Sequence, residues 1–333
     1  MIDMKTNYLG LELEHPLIVG ASPQGDTLDG VRRAEDAGAA AIVFRSIFEE
    51  QHDTEAMATF SAMESHAEMF AEATHFMPEP TEFKVGPEQY FESIRRAKEA
   101  VKIPVIGSLN GTSLGGWLRY AGAIEEVGAD ALELNVFDVP MNEKVSGADI
   151  ERETVEMVRE LRRQIRIPIA VKLSPFHTSL PHFAAALQEA GADGLVLFNR
   201  FFEPDIDIEN LEVITEMRLS NSSEVLLRLR WLAILSGLLE KTQVAVTGGV
   251  HTATDAIKAV MCGASAVQIV AGVLRHGPER LHAIRSEMQR WMIEHEYESL
   301  ASMRGCMNIL RAPNPNVFSR ANYMRILQTW VNE

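Results

Sequence analysis

The amino-acid sequence predicts a single α/β domain of the (β/α)8 or TIM-barrel type, with long loops after its second and sixth strands. Three observations predict it. Ala37-Gly38-Ala39-Ala40, Val127-Gly128-Ala129-Asp130, Ala190-Gly191-Ala192-Asp193 and Cys262-Gly263-Ala264-Ser265 each close a helical pattern and introduce an apolar run. Glycine suits the left-handed position after a helix, and the small residue behind it lets helix and sheet approach. About eight apolar runs alternate with helical patterns, which is how a parallel sheet covered by helices reads. Finally, residues 243–274, QVAVTGGVHTATDAIKAVMCGASAVQIVAGVL, read as strand, glycine turn, helix, strand and glycine turn, the layout of the last two units of such a barrel. A six-stranded doubly wound sheet is the alternative, and it leaves two of the runs unplaced.

The strands are expected at 17–22, 41–46, 105–110, 131–137, 169–174, 194–199, 244–247 and 266–270. Pro104 and Pro168 open their runs at positions where a strand tolerates a missing N–H. Helical patterns cover 87–101, 115–127, 150–164 and 180–190, with Pro87 in a first turn where no N–H is needed. Thr252 reads as the N-cap of a helix over 252–262. Two connections exceed ordinary βα loops, residues 47–86 and 200–223. Both leave the C-terminal ends of strands, so each reads as a functional lid or as an oligomer contact. Residues 1–306 are expected to form the barrel, and 307–333 a tail packed on its outside.

Composition excludes several classes of function. A formal net charge of −16 over 333 residues is unsuited to a nucleic-acid partner. No apolar run approaches the roughly 20 residues that span a bilayer, and the N-terminus lacks a signal-peptide core. With 46% hydrophobic and only 7% aromatic residues, the core is aliphatic, as in a parallel sheet. Cys262 and Cys306 have no metal-ligand spacing, so no metal site is expected. These features describe a cytoplasmic protein acting on a small molecule, with no membrane or nucleic-acid partner.

Barrel chemistry sits at strand C-terminal ends. Those ends carry Ala21-Ser22, Arg45-Ser46, Asn110, Asn135 with Asp138 beyond it, Lys172, Asn199, and the glycine turns Gly248-Gly249 and Ala271-Gly272. Lys172 lies inside IAVKLS, where an ammonium needs an anionic partner, either a structural carboxylate or a ligand. Asn135 in ELNVFD is either a site residue or a core amide bonded to backbone. The glycine turns are either a phosphate cup, where backbone N–H groups approach an anion, or ordinary tight turns. His177, His251 and His276 are expected at the surface.

IVGAS near the start, ELN followed by a proline-containing loop, VKLSP, the sixth-strand Asn199, TGGV and QIVAG resemble, in order and spacing, the class 1 dihydroorotate dehydrogenases over about residues 9–305. The resemblance implies FMN as cofactor. Its phosphate is then expected on Gly248, Gly249, Ala271 and Gly272, and its ring near Ala21, Ser22, Asn135 and Lys172, with Asn110 also in the cofactor set. Asn199 and Arg45 are expected at the substrate. Lys172 and Arg45 join Asp138 as the catalytic set, with Lys172 stabilising charge on the reduced flavin.

The departures lie on the substrate side. Asp138 stands where the family carries a Cys or Ser base, and Arg45 where it carries Lys. ATHFMPEP and Ser220-Asn221-Ser222-Ser223 replace segments rich in glycine in the family. The expected activity is hydride transfer between a small anionic substrate and flavin N5, with Asp138 as base and weak or absent turnover of dihydroorotate. A flavin-binding electron-transfer or regulatory subunit is the alternative, and a flavin-free barrel using the cup for a sugar phosphate is a third. The expected partners are a second copy of the chain or a separate electron-transfer protein.

Overall fold

Eight parallel strands close on themselves. The computed structural model describes residues 2–49, 87–111, 113–137, 139–200, 203–214, 216–318 and 327–329. An antiparallel pair, β1 (Thr6–Tyr8) and β2 (Leu11–Leu13), precedes the barrel. The barrel strands are β3 (Leu17–Val19), β4 (Ile42–Val43) continued by β5 (Ile47–Phe48), β6 (Val105–Asn110), β7 (Ala131–Asn135), β8 (Ile169–Leu173), β9 (Gly194–Leu197), β12 (Gln243–Thr247) and β13 (Ala266–Ile269). Pairing runs β4-β3-β13-β12-β9-β8-β7-β6-β5, and Ile42 against Val105 joins β4 to β6 and closes the ring. Every barrel pairing is parallel, so all strand C-termini lie at one end.

The helices between strands are α1 (Leu28–Asp36), α2 (Pro87–Ala100), α3 (Leu114–Glu126), α4 (Gly147–Gln164), α5 (Leu180–Ala190), α6 (Val225–Leu238) and α7 (Ala253–Met261). Local chemistry fixes their ends. Ser146 and Asp149 form a capping box on α4, and Thr252 with Asp255 forms one on α7, satisfying N–H groups that the first turn leaves unpaired. The four glycines that mark helix ends in the sequence, Gly38, Gly128, Gly191 and Gly263, all take positive φ. Beyond β13 follow α8 (Ala271–His276), α9 (Arg280–Glu294) and α10 (Leu300–Met303).

Two apolar layers result. Strand faces pack outward against the helices, as with Leu132, Leu134, Val158 and Leu161. Inside the barrel, Tyr8 and Leu9 from the N-terminal pair meet Ile18, Val43, Ile106, Ala170, Val196 and Ala245. Gln243 anchors that pair by accepting from Leu9 N at 2.6 Å and donating to Asn7 O at 2.9 Å. With one end of the barrel plugged in this way, the C-terminal end is left as the place for polar groups.

The expected strands stand at the expected places, most of them shorter. Ser22 and Asn199 lie just past their strands, and the second strand is interrupted between Val43 and Ile47. Residues 47–48 of the first long connection are strand, and 50–86 lie outside the described residues. The second long connection is not plain loop. It holds the antiparallel pair β10 (Asp205–Asp207) and β11 (Glu212–Ile214), whose Ile206 and Val213 are exposed partners.

Candidate active site at the barrel mouth

A buried carboxylate organises the mouth. Glu133 is 1% exposed. Lys172 Nζ donates to its Oε1 at 3.3 Å, and Gln268 Nε2 donates to its Oε2 at 2.5 Å. Three barrel strands are thereby tied together by side chains from their inner faces. Lys172 thus has the anionic partner that its sequence position demands, and that partner is protein. Below lies Tyr8, which burial first and the Glu133 charge second push well above the ordinary phenol range.

Around this cluster stand the strand-end amides. Asn135 pairs in register with Lys172. Asn110 Nδ2 donates to Asn135 O at 2.8 Å, and Asn199 Nδ2 donates to Val136 O at 3.1 Å. Ser22 Oγ, Asn135 Oδ1 and Gln268 Oε1, buried atoms of neutral side chains at this end of the barrel, have no hydrogen-bond partner among the described residues. An orphaned buried polar group costs about 1–3 kcal/mol. Three of them at one end of a barrel leave hydrogen-bonding capacity there for a ligand or ordered water.

The glycine turns owe part of their composition to the protein's own packing. Gly248 and Gly249 have φ of +79° and +76°. A Cβ on Gly249 would stand 2.4 Å from Val225 N, and one on Gly248 would stand 2.7 Å from Arg228 Nη2. Both positions therefore require glycine before any anion is considered. Gly249 N donates to Ser220 Oγ at 3.3 Å, and that hydroxyl lies 3.2 Å from His251 Nε2. Ala271 and Gly272 begin α8 and are buried.

Arg45 is half-exposed, with Nη2 3.1 Å from Asp26 Oδ2. The contact is an ion pair without hydrogen-bond geometry, since that oxygen has no hydrogen-bond partner. Burial raises the Asp26 pKa and Arg45 opposes the rise. Asp138 lies outside the described residues. Ala21 follows β3, half-buried. Two of the three histidines expected at the surface are only partly exposed. His177 Nδ1 lies 3.1 Å from Glu151 and its ring packs on Phe183, while His251 is half-buried. His276 is exposed as expected.

Sequence reading missed Glu133, Gln268 and Arg228 as site residues. For Glu133 a signal was present: it precedes Asn135 by two and so shares its strand face. Gln268 likewise stands mid-strand among apolar neighbours. Beside Asn199 opens a cavity of about 720 Å³, lined among others by Pro175, Phe176, Arg200, Glu224 and Arg228.

A closed parallel barrel with unpaired buried polar groups and a buried ion pair at the strand C-termini has the arrangement of a TIM-barrel enzyme. The family profile described as dihydroorotate dehydrogenase matches residues 81–292, and the chain belongs to that family, whose members are oxidoreductases acting on CH–CH bonds. It is 29% identical over 313 residues to the catalytic subunit of dihydroorotate dehydrogenase B (NAD(+)) of Thermoplasma acidophilum, covering 92% of this chain and 99% of that protein. Against the subunit of the same name from Methanocaldococcus jannaschii, identity is 26% over 299 residues, covering 87% and 94%. It is also similar to the NAD-dependent dihydropyrimidine dehydrogenase subunit PreA of Escherichia coli, at 23% over 331 residues, covering 92% and 77%. Among the described residues no helix is long and apolar enough to cross a membrane, and no cluster of three metal-ligating side chains occurs.

Proposed function

We propose that the chain is an FMN-dependent oxidoreductase that takes a hydride from the CH–CH bond of a small dihydropyrimidine-type ring. The observation that carries this reading is the set of orphaned buried atoms, Ser22 Oγ, Asn135 Oδ1 and Gln268 Oε1, at the mouth that holds Lys172. A flavin ring edge carries both donors and acceptors and suits such a set. Ser22, Ala21, Asn110, Asn135 and Lys172 would hold the ring, and Gly248, Gly249, Ala271 and Gly272 the phosphate. When bound, the flavin supplies the hydride acceptor.

The chain's own residues do the rest. Lys172, fixed by Glu133, keeps a positive charge where negative charge develops. Asp138 takes the proton from the substrate carbon onto its carboxylate, and Asn199 orients the ring. A carboxylate base leaves negative charge beside the substrate unless a cation offsets it. Arg45, the candidate cation, already carries Asp26 at 3.1 Å, which favours a neutral ring over an anionic one. Because the similar proteins are named as subunits, we further infer that electrons leave through a separate protein.

The test is anaerobic. The purified protein should be yellow, and dihydrouracil should bleach its flavin faster than dihydroorotate does. A colourless protein that takes up no FMN overturns the cofactor assignment. A flavoprotein bleached by neither compound, nor by other dihydropyrimidines, supports an electron-transfer or regulatory subunit instead.

A further inference from the structure

Arg228 on α6 is buried, with 6% of its surface exposed, yet among the described residues no carboxylate bonds to it directly, and Glu224 acts on it only as a nearby charge. Nε donates to Thr247 O at 2.5 Å and Nη1 to Glu224 O at 2.6 Å, so the fork is held by two backbone carbonyls. Nη2 makes no hydrogen bond among the described residues. The Glu224 carboxylate lies toward Arg200 instead, at 4.0 Å. Burial disfavours the charged guanidinium, and Glu224 offsets this only in part, so a cation bonded to carbonyl oxygens here is stabilised further by an anion.

The position of that charge is specific. The guanidinium occupies the space that a side chain at residue 248 would fill, with Nη2 2.7 Å from an ideal Cβ there. It also lines the 720 Å³ cavity that opens beside Asn199, just past the end of β9. Across the same turn, Gly249 N is already engaged by Ser220 Oγ at 3.3 Å. One backbone donor of the cup is therefore occupied within the protein, in the segment where Ser220–Ser223 replaces a glycine-rich turn.

We propose that Arg228 is the side-chain anion ligand of this cup, donating from its free edge to the phosphate of the flavin. This rests on the cofactor reading above and assigns the phosphate a guanidinium in place of a purely backbone cradle. Charge-assisted bonds from a planar fork are stronger than neutral N–H contacts and discriminate phosphate-bearing ligands.

The experiment titrates flavin-free wild type, Arg228→Met and Arg228→Lys with FMN and with riboflavin, following flavin fluorescence. Arg228→Met should bind FMN about ten- to a hundred-fold more weakly. Riboflavin, which has no phosphate, should bind it as it binds the wild type, and Arg228→Lys should recover part of the FMN affinity. If the Met variant does not fold, the ratio of FMN to riboflavin affinity in the Lys variant decides, and it should fall. An unchanged ratio in the folded variants, with flavin still bound by the wild type, overturns the role of Arg228 alone. Parallel loss of both flavins marks a structural arginine and overturns it equally. A wild type that binds neither flavin overturns the cofactor reading, and this inference with it.

Discussion

Glu133→Ala should be among the most destabilising single changes in this chain. The carboxylate is 1% exposed and receives Lys172 Nζ at 3.3 Å and Gln268 Nε2 at 2.5 Å. Removing it leaves an ammonium on a side chain only 10% exposed and an amide whose oxygen is already unpartnered. Removing one partner of a buried pair costs about 3–5 kcal/mol, because the other charge stays buried. Taking both ions away should hurt less than the sum. In Glu133→Ala combined with Lys172→Met, the coupling should return about 1–3 kcal/mol.

The assay is urea unfolding of the wild type, both single variants and the double variant, comparing midpoints at constant slope. A loss below about 1 kcal/mol in Glu133→Ala, or strict additivity in the double variant, refutes the idea that this pair organises the mouth. Glu133→Gln separates charge from shape, since it keeps an acceptor for one donor while leaving the Lys172 charge unbalanced. In that variant the bound flavin should be easier to reduce, read as a higher midpoint potential.

Three further outcomes are expected. His15 is held at a pKa of about 4, by burial first and Arg285 second, and its Nδ1 accepts from Leu17 N at 3.3 Å, so the unfolded chain binds the extra proton between pH 6.5 and 4. Stability should therefore be complete above pH 6.5 and decline by up to about 3 kcal/mol as pH falls to 4, and an isothermal unfolding series that shows no such decline relative to His15→Asn contradicts it. Gly249→Ala should lower stability by about 1–2 kcal/mol from its positive φ alone, with more from the contact at Val225 N, and calorimetry should show the loss in flavin-free protein as well. Asp138→Asn should keep FMN bound and abolish substrate-driven bleaching, whereas bleaching at the wild-type rate removes Asp138 from the mechanism.

The barrel was legible because its cues are local. Glycines after helices, prolines at strand starts and continuous apolar runs each act within a few residues, and the four helix-ending glycines adopt the conformation that their sequence context requires. The site was legible only where polar residues interrupt apolar strands, as at Lys172 and Asn135. Which anion Lys172 meets was not, since Glu133 stands 39 residues away and only parallel register brings them together. Arg228 was harder still. On a helix it reads as one polar position among others, and its burial follows from the approach of α6 to the turn after β12. The antiparallel pair at 205–214 was hidden by its own composition, because exposed Ile206, Leu211 and Val213 carry no inside–outside pattern.

The two sides of the mouth obey different electrostatic rules, and this bears on what the substrate can be. Among the described residues on the β7–β8–β13 side, Glu133 compensates Lys172, and the unpartnered polar atoms are neutral amides and a hydroxyl. A ligand ring there needs hydrogen-bonding edges and no net charge of its own. On the β4 side Arg45 is matched by Asp26, whose pKa burial pushes upward. A substrate carboxylate arriving at Arg45 would have to displace or protonate that aspartate. Both events become easier as pH falls, so any turnover of an anionic ring should rise toward acid pH, while that of a neutral ring should not. Opposite pH trends for dihydroorotate and dihydrouracil would locate the discrimination at the Arg45–Asp26 pair, and Asp26→Asn, which leaves Arg45 without that partner, should then narrow the gap between the two substrates.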